Sequence, residues 1–251
     1  AFELPSQSSF PQVEVYDPQV EKVSIEEMVG LGQSVIDQVR SRYPEVLCEG
    51  GVTRSTSRVE IINSRGTHAS YKKSGFSLGM EGTLIRGTDM LFVGDWDSSC
   101  HPITDISHLR DEITRQLDWA REIVPAPTGR VPVVFSPRGV SNALLYPLLL
   151  AFNGRSIVQG SSPLIGKLGE RLFDEGFNVW DDPTIPYRPG SRICDDEGIP
   201  SQRMPLIQNG VVANFLYDLQ TAGQAKARTT GSASRAGSMP TPSTSVELIG
   251  E

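Results

Sequence analysis

The 251-residue sequence contains few of the side chains that build disulfide frameworks or metal sites. It has only three cysteines, which are Cys48, Cys100 and Cys194. They are odd in number, far apart and outside any CxxC pattern, so neither a disulfide framework nor a zinc finger is indicated. Reduced thiols are typical of the cytosol, and we therefore expect a cytoplasmic protein.

Histidine is equally scarce, and the only three are His68, His101 and His108. No HExxH motif is present, and no two histidines have the i, i+4 spacing with which one helix face offers two imidazoles to zinc. A serine nucleophile elbow is also missing, because neither Ser156 nor Ser162 has a glycine two positions after it. The residues alone therefore predict neither a zinc centre nor a Ser-His hydrolase.

Long apolar runs and an excess of positive charge are missing as well. The most apolar run, Asn142–Gly154, has roughly half of the 20 or so apolar residues that a membrane-spanning helix needs. It is predicted to be a buried core helix, in which Pro147 would remove a backbone hydrogen bond and kink the chain. The net charge of −7 gives no general affinity for a phosphate backbone. We therefore expect neither a membrane nor a nucleic acid as a direct partner.

The first half of the sequence predicts a helix, a β-meander and a second helix. Residues 1–22 are polar and contain proline, which indicates a connector. Ser24 and Glu27 have the spacing of a capping box, and a helix is expected over 25–40. Short β-like runs from residue 46 to 93, with turns at 63–66 and 73–75, favour an antiparallel meander. A helix capped by Asp105 or Ser107 should then reach about residue 124, which gives an α+β region over 23–127.

The second half predicts a β-rich region over 128–251 with two helices. A buried strand is expected at Val131–Phe135, followed by the leucine-rich helix and by a second helix at Pro163–Glu175. Asn209-Gly210 between two apolar runs predicts a hairpin, and Thr229–Ser245 an irregular loop. The predicted fold class is α+β, with antiparallel β-rich sheets or a barrel-like region and a few packed helices.

The two ends of the sequence suggest a piece of a larger protein. The chain begins at Ala1 with neither an initiator methionine nor the segments of a secretion signal. It ends in a strand-like run, SVELIGE. We therefore expect an excised, C-terminally truncated fragment of a larger two-region protein.

Two acidic clusters and one glycine-rich loop are the remaining candidates for chemistry. Residues 160–167, GSSPLIGK, have the wrong spacing for a phosphate loop. Asp181-Asp182 and the run 195–198, DDEG, lack the alternating spacing of a calcium loop, and solvated turns or caps are expected there. A hydrolase built on Asp181, Asp182, Asp195 or Ser162 stays open as an alternative.

Several sequence blocks occur in a fixed order in the second half. They are PVVFSPRGVSNALLYPLLLAFNGRSIVQGSSPLIGKLGERLFDE, DDPTIPYRPGS, CDDEGIPSQRMPLIQNGVVANFLYDLQTA and TTGSASR. This ordered set resembles the TldD/PmbA family, described both as modulators of DNA gyrase and as peptide-maturation peptidases. The resemblance covers roughly residues 45–251 and is strongest over 132–235.

The resemblance implies a cytosolic zinc peptidase made of two related subunits. The TldD-type subunit carries an HExxxH helix, and that motif would fall on Tyr146, Pro147 and Ala151 of this sequence. None of the three is suited to bind zinc or to activate water. The chain therefore resembles the PmbA (TldE) type, which lacks the motif. A further cysteine ligand of the catalytic relatives lies in a C-terminal part that has no counterpart here, so Cys194 is not supported as a ligand.

For this subunit the resemblance implies no cofactor of its own, a TldD-like catalytic subunit or a homo-oligomer as partner, and an unfolded or modified peptide as substrate. A stand-alone peptide-binding or regulatory protein is the alternative. The positions expected to form a peptide cleft or to shape the family fold are Asn63, Gly66, Asn153, Gly154, Gly166, Lys167, Asp181, Asp182, Ser191, Asp195 and Gly198.

Overall fold

The computed structural model describes residues 3–235 and 246–249, and within them the chain forms two compact units. The first unit comprises Val15–Ser57 and Lys72–Val131. The second comprises Ala1–Glu14, Arg58–Tyr71 and Pro132–Glu251. The fold class is α+β with antiparallel sheets, as predicted. The domain boundaries expected from the sequence stay a prediction.

The elements that precede residue 132 are three helices and three strands. They are α1 (Gln19–Lys22), α2 (Ile25–Arg42), β1 (Leu47–Ile62), β2 (His68–Arg86), β3 (Asp89–Ser99) and α3 (Ser107–Trp119). The short helix α1 lies where the sequence predicted only a connector. The capping box of α2 is confirmed, because Ser24 Oγ accepts from Glu27 N at 3.1 Å and Glu27 Oε2 accepts from Ser24 N at 2.7 Å.

The three strands form one antiparallel sheet in the order β1-β2-β3. The turn predicted at 73–75 is wrong, since β2 continues through these residues. Gly75 serves a close approach instead of a turn, because a Cβ there would lie 2.9 Å from Ser55 Oγ. The predicted turn at 63–66 does separate two strands, β1 and β2, and a further turn between Arg86 and Asp89 separates β2 from β3.

The core of the first unit lies between this sheet and the helices α2 and α3. The predicted stripe Leu109, Ile113 and Leu117 is buried against residues such as Val39 and Phe76. Helix α3 ends at Trp119 instead of near residue 124, because Ile123 and Val124 are 77% and 71% exposed and gain nothing from a further helical turn.

The elements that follow residue 132 are shorter. They are α4 (Pro137–Gly139), a π-helical segment (Val140–Leu145), α5 (Tyr146–Phe152), α6 (Gly154–Val158), β4 (Asn178–Asp181), β5 (Met204–Gln208), β6 (Val211–Val212), α7 (Leu219–Ala225) and β7 (Val246–Ile249). Strands β4 to β7 form a second antiparallel sheet in the order β6-β5-β4-β7. Residues 229–235 of the predicted irregular loop contain neither helix nor strand, and 236–245 lie outside the described residues.

Two predicted elements of the second unit do not form. Val131–Phe135 is not a strand, because no described strand pairs with it. Pro163–Glu175 is a series of turns instead of a helix. Gly166 and Gly169 have positive φ angles of 73° and 82°, which break a helix.

The backbone of this turn segment pairs with the β5–β6 hairpin. Gly169 N donates to Val212 O at 2.8 Å, and Leu172 N donates to Gly210 O at 3.0 Å. The hairpin predicted at Asn209-Gly210 is confirmed, with φ angles of 49° and 75° at its two turn residues. The segment therefore obtains its hydrogen bonds from a neighbouring hairpin and needs no helix.

The leucine-rich helix, which we define as α4, the π-helical segment and α5, is only half buried. Phe152 is fully buried, and Leu148, Leu149 and Ala151 pack against the core of the second unit. Tyr146 on the opposite side is 66% exposed, so the prediction of an all-round buried helix is wrong. The π-helical turns stand directly before Pro147, where the ring has no N–H to donate and crowds the preceding turn.

Among the described residues, no helix is long and apolar enough to cross a membrane.

Replacing Gly210 by alanine should destabilise the protein strongly. A Cβ at this position would lie 2.3 Å from Phe173 O, and the φ angle of 75° disfavours any side chain. We expect a loss of about 2–5 kcal/mol in the free energy of unfolding, measured by urea denaturation. Gly66→Ala is the matched control, because its φ is 91° but no atom lies within 4 Å of the added Cβ. Equal losses for the two variants would contradict the contact with Phe173.

Candidate functional site

Four carboxylates of the second unit are buried where the sequence predicted solvated turns or caps. Asp181, Asp182, Asp195 and Glu197 are 2%, 7%, 0% and 9% exposed. We call them the acidic loop cluster. Solvation is wrong for all four, because backbone amides and neighbouring side chains replace water around their oxygens, but the alternative of a cap agrees with Asp182 and Asp195, which accept hydrogen bonds from amides two residues on.

Asp195 is the most completely enclosed member of the cluster. Its Oδ1 accepts hydrogen bonds from Glu197 N at 3.0 Å and from Ile199 N at 2.9 Å, and its Oδ2 accepts from Ala233 N at 3.0 Å. Burial raises the pKa of this carboxyl, although the amide hydrogen bonds and the nearby Arg192 act in the opposite direction. The carboxylate thus joins the 195–199 turn to the segment around residue 233.

Two arginines complete this arrangement. Arg192 donates to Gly231 O at 3.2 Å and to Ala233 O at 3.4 Å. Arg235 forms an ion pair with Glu197, whose Oε2 also accepts from Leu219 N at 2.7 Å at the start of α7. Burial raises the pKa of Glu197. The charged groups of Arg192, Glu197 and Arg235 thus bind backbone groups or each other. Their role is to stabilise the folded loops.

Asp181 and Asp182 lie at the end of β4. Ser232 Oγ donates to Asp181 Oδ2 at 3.4 Å. Asp182 Oδ1 accepts from Thr184 N at 3.0 Å, and its Oδ2 lies 3.4 Å from Nε of Arg203. The carboxylate of Asp182 therefore forms a turn and an ion pair.

Ser191 and Cys194 are buried on the same stretch of chain. Ser191 Oγ donates to Ile185 O at 2.6 Å. Burial raises the pKa of the Cys194 thiol to about 11 and that of Tyr71 to about 12. A thiol with such a pKa stays protonated at neutral pH, which makes it a poor nucleophile.

The predicted turn at Asn63–Gly66 lies against the acidic loop cluster. Asn63 Oδ1 accepts from Thr67 N at 3.2 Å, and Asn63 Nδ2 donates to Pro5 O at 2.9 Å. A Cβ on Gly198 would lie 2.9 Å from the buried Thr67, so the glycine allows the two turns to touch. The structure thus brings Asn63, Gly198 and Asp195 into one neighbourhood.

Asn153 and Gly154 form a separate junction between α5 and α6. Asn153 Oδ1 caps α6 by accepting from Arg155 N at 2.9 Å. Gly154 N donates to Leu216 O at 2.7 Å, and a Cβ on Gly154 would lie 2.5 Å from that same oxygen. The glycine is therefore required by close backbone packing.

Of the remaining candidate positions, Gly166 is exposed and Lys167 is partly exposed, whereas Ser162 is buried. Gly166 adopts a positive φ, and Lys167 Nζ forms an exposed ion pair with Glu170 at 2.8 Å. Ser162 Oγ donates to Ala151 O at 2.6 Å and accepts from Leu164 N at 3.1 Å. Ser162 is thus a structural cap, with both its donor and an acceptor position in use.

Sequence reasoning did not single out Arg192, Ser232 or Arg235, and it considered Glu197 only as part of an acidic run. Glu197 belongs to the DDEG run, and the other three lie in or beside sequence blocks that pointed to the family. The sequence signal for this cluster is an acidic run that occurs together with arginines, serines and glycines. Neither spacing nor periodicity assigns partners across about 40 residues of chain.

Two family descriptions match most of the chain. The PmbA/TldA metallopeptidase central domain matches residues 18–124, and the PmbA/TldA metallopeptidase C-terminal domain matches residues 128–250. The chain belongs to the TldD/PmbA family. This finding confirms the family resemblance and the expected relation to metallopeptidases.

Other members of the TldD/PmbA family are substantially longer. An uncharacterized protein of Methanocaldococcus jannaschii is 29% identical over 224 residues, which cover 88% of this chain and 50% of that protein. The structure of TldE from Thermococcus kodakarensis matches with a TM-score of 0.81 at 24% identity, over 98% of this chain and 57% of that one. A Bacteroides thetaiotaomicron structure described as a candidate modulator of DNA gyrase matches with a TM-score of 0.83 at 18% identity. The match covers 98% of this chain and 55% of that one. The two structures show the fold, and the chain spans about half the length of these relatives.

The leucine-rich helix offers no set of side chains that suits a catalytic zinc ion. At the positions that the family resemblance assigns to the HExxxH motif stand Tyr146, Pro147 and Ala151, of which proline and alanine have no donor atom. Residues 3–235 also contain no group of three or more His, Cys, Asp or Glu side chains that could hold a metal ion. That the positions listed from the sequence form a peptide cleft stays a prediction.

Asp195→Ala should be strongly destabilising. Removing the carboxylate leaves the amides of Glu197, Ile199 and Ala233 without partners in a buried site, which should cost about 3–5 kcal/mol in the free energy of unfolding. Asp196→Ala is the matched control, since this neighbour is exposed and accepts one bond, from Arg235 N at 2.7 Å. We expect about 1 kcal/mol or less for the control in urea denaturation. Similar losses would show that Asp195 does not organise the loops.

The raised pKa of Asp195 also predicts a pH dependence. Because the folded protein binds this proton more tightly than the unfolded chain, the carboxyl contributes stability as the pH falls from neutral toward its ordinary value. We expect the stability of the native protein, relative to Asp195→Asn, to rise between pH 7 and pH 5 in urea denaturation. A relative fall over the same range would mean that the amide hydrogen bonds outweigh burial.

Proposed function

We propose that this chain is a PmbA (TldE)-type subunit of a TldD-type zinc peptidase complex, and that it contributes no catalytic metal of its own. The observation that carries the proposal is the composition of the leucine-rich helix. Tyr146 is exposed, and Pro147 and Ala151 provide neither a ligand nor a base at the positions given to the motif. The catalytic zinc would therefore be bound by a TldD-like partner, and the complex would act on unfolded or modified peptides.

The hydrogen bonds of the buried carboxylates support a structural role for them. The oxygens of Asp195 accept three backbone hydrogen bonds, and Glu197 is paired with Arg235 and the amide of Leu219. Both carboxylates are almost fully buried, at 0% and 9% exposed, whereas a general acid or base must reach the substrate. A hydrolase built on the acidic loop cluster or on Ser162 is therefore disfavoured.

A stand-alone peptide-binding or regulatory protein is the second candidate. The leucine-rich helix, which has no suitable zinc ligands at Tyr146, Pro147 and Ala151, is compatible with this candidate, because a binding protein needs no catalytic group. The two candidates differ in whether a catalytic partner chain is needed.

Assembly and metal content test the proposal directly. The purified chain, dialysed without chelator, should contain far less than one zinc ion per molecule by elemental analysis and should hydrolyse no peptide. Mixing it with a TldD-like chain from the same source should give a discrete hetero-oligomer that cleaves an unstructured peptide, with the activity lost on chelation. One zinc per isolated chain would contradict the proposal, and failure to co-assemble would favour the stand-alone candidate.

A matched pair of variants shows where any metal in the complex is bound. Tyr146→Phe removes the oxygen at the first motif position of this chain and should leave zinc content and cleavage unchanged. Substituting the first histidine of the partner's HExxxH motif should abolish both. Loss of zinc in Tyr146→Phe would show that this helix does contribute a ligand.

A further inference from the structure

Strand β3 is the outer strand of the sheet in the first unit. The described strands of this sheet follow the order β1-β2-β3, and β3 pairs with β2 along its whole length, from Asp89 to Ser99. In an antiparallel ladder, the N–H and C=O groups of every second residue point away from the paired strand. An outer strand therefore offers these groups to any strand that comes alongside, which is how such edges cause unwanted association.

At Gly94 a side chain takes the place of such a strand. Gly94 N donates to Gln116 Oε1 at 3.1 Å, and Gln116 Nε2 donates to Gly94 O at 3.2 Å. A side-chain amide carries the same kinds of donor and acceptor as a peptide group. The two bonds therefore reproduce those that a residue of a neighbouring strand would form with Gly94.

Helix α3 holds Gln116 in this position. Its neighbours on the helix, Ile113 and Leu117, are buried in the core of the first unit. Gln116 Nε2 also donates to Glu112 Oε1, one turn earlier, at 3.5 Å. Both Gly94 and Gln116 belong to the first unit, so the block at the edge of β3 is formed entirely within that unit.

The glycine at position 94 has a separate structural reason. A Cβ there would lie 2.8 Å from Met80 O on β2 and would push the two strands apart. Gly94 is therefore required by the pairing of β2 with β3. Gln116 is the member of the contact that can be replaced without disturbing this pairing.

We propose that Gln116 closes the edge of β3 against the addition of a further strand, and that the strand it excludes is β3 of a second copy of the chain. A strand that reaches Gly94 must first displace the amide of Gln116, so the contact acts as a built-in block. The proposal concerns the association of the chain with itself and is independent of the proposed function.

The residues of β3 do not themselves prevent such pairing. In an antiparallel pair centred on Gly94, Phe92 of one copy lies opposite Trp96 of the other, and aromatic cross-strand pairs are favourable. The three carboxylates of the strand lie opposite uncharged residues in this arrangement: Asp89 opposite Ser99, Asp95 opposite Val93 and Asp97 opposite Leu91. Because no two carboxylates stand opposite each other, an additional contact is needed to keep the edge closed.

Sedimentation velocity over a range of protein concentrations tests the proposal. Gln116→Ala removes both bonds to Gly94 and should strengthen self-association at least about tenfold relative to the native chain. Gln33→Ala is the matched control, because Gln33 is a glutamine on helix α2 of the same unit whose amide donates to Asp37 Oδ1 at 2.7 Å. Equal association of the two variants would overturn the proposal.

A second substitution and hydrogen exchange locate the association. Phe92 is an exposed residue of β3, and Phe92→Lys added to Gln116→Ala places a charge on the open edge and should reverse the association. The Gly94 amide of Gln116→Ala should exchange faster than in the native chain at low protein concentration, and more slowly as copies pair at high concentration. Faster exchange without association, or association that Phe92→Lys leaves unchanged, would overturn the proposal.

Circular dichroism distinguishes paired folded copies from aggregated unfolded chains. The associated form of Gln116→Ala should keep the native spectrum, because alanine favours the helix and the core residues of α3 are unchanged. Association that accompanies loss of the native spectrum would overturn the proposal. Gln116→Glu keeps an acceptor for Gly94 N and adds a negative charge at the edge, so it should associate less than Gln116→Ala. Equal association of these two variants would show that the amide contact is not the block.

Discussion

The carboxylate of Asp195 accepts three backbone hydrogen bonds in the interior of the second unit, and the surrounding loops are arranged around it. Loops are usually exposed because their polar backbone needs partners. Here one side chain provides these partners for amides on both sides of the cluster, and Arg192 provides donors for the carbonyls of Gly231 and Ala233. Irregular chain can therefore be buried without leaving its amides unsatisfied.

The acidic loop cluster also bears on where function can reside. Its charged groups are bonded to the backbone or to each other, so they stabilise the second unit and have little capacity left for a substrate. The leucine-rich helix differs, because Tyr146 and Leu150 on it are apolar or aromatic side chains that are 66% and 41% exposed. In a family related to metallopeptidases, this chain thus combines buried carboxylates that are bonded to the backbone with a helix that exposes part of its apolar surface.

Features that depend on neighbouring residues in sequence were predictable. The capping box at Ser24 and Glu27 and the Asn209-Gly210 hairpin are confirmed, because each is set by backbone conformation within a few residues. Features that depend on distant partners were not. The turns at 163–175 pair with a hairpin about 40 residues away, and Val131–Phe135 has strand-forming residues but no described partner strand.

The sequence by itself determined the family, the α+β class and the absence of suitable zinc ligands at Tyr146, Pro147 and Ala151, since these follow from residue identity and order. Only the tertiary structure decided that the acidic runs are buried, that the leucine-rich helix is uncovered on one side and that Arg192, Glu197 and Arg235 meet around the same loops. Burial and hydrogen bonding are properties of pairs of groups, and pairs separated by many residues are formed only when the chain folds.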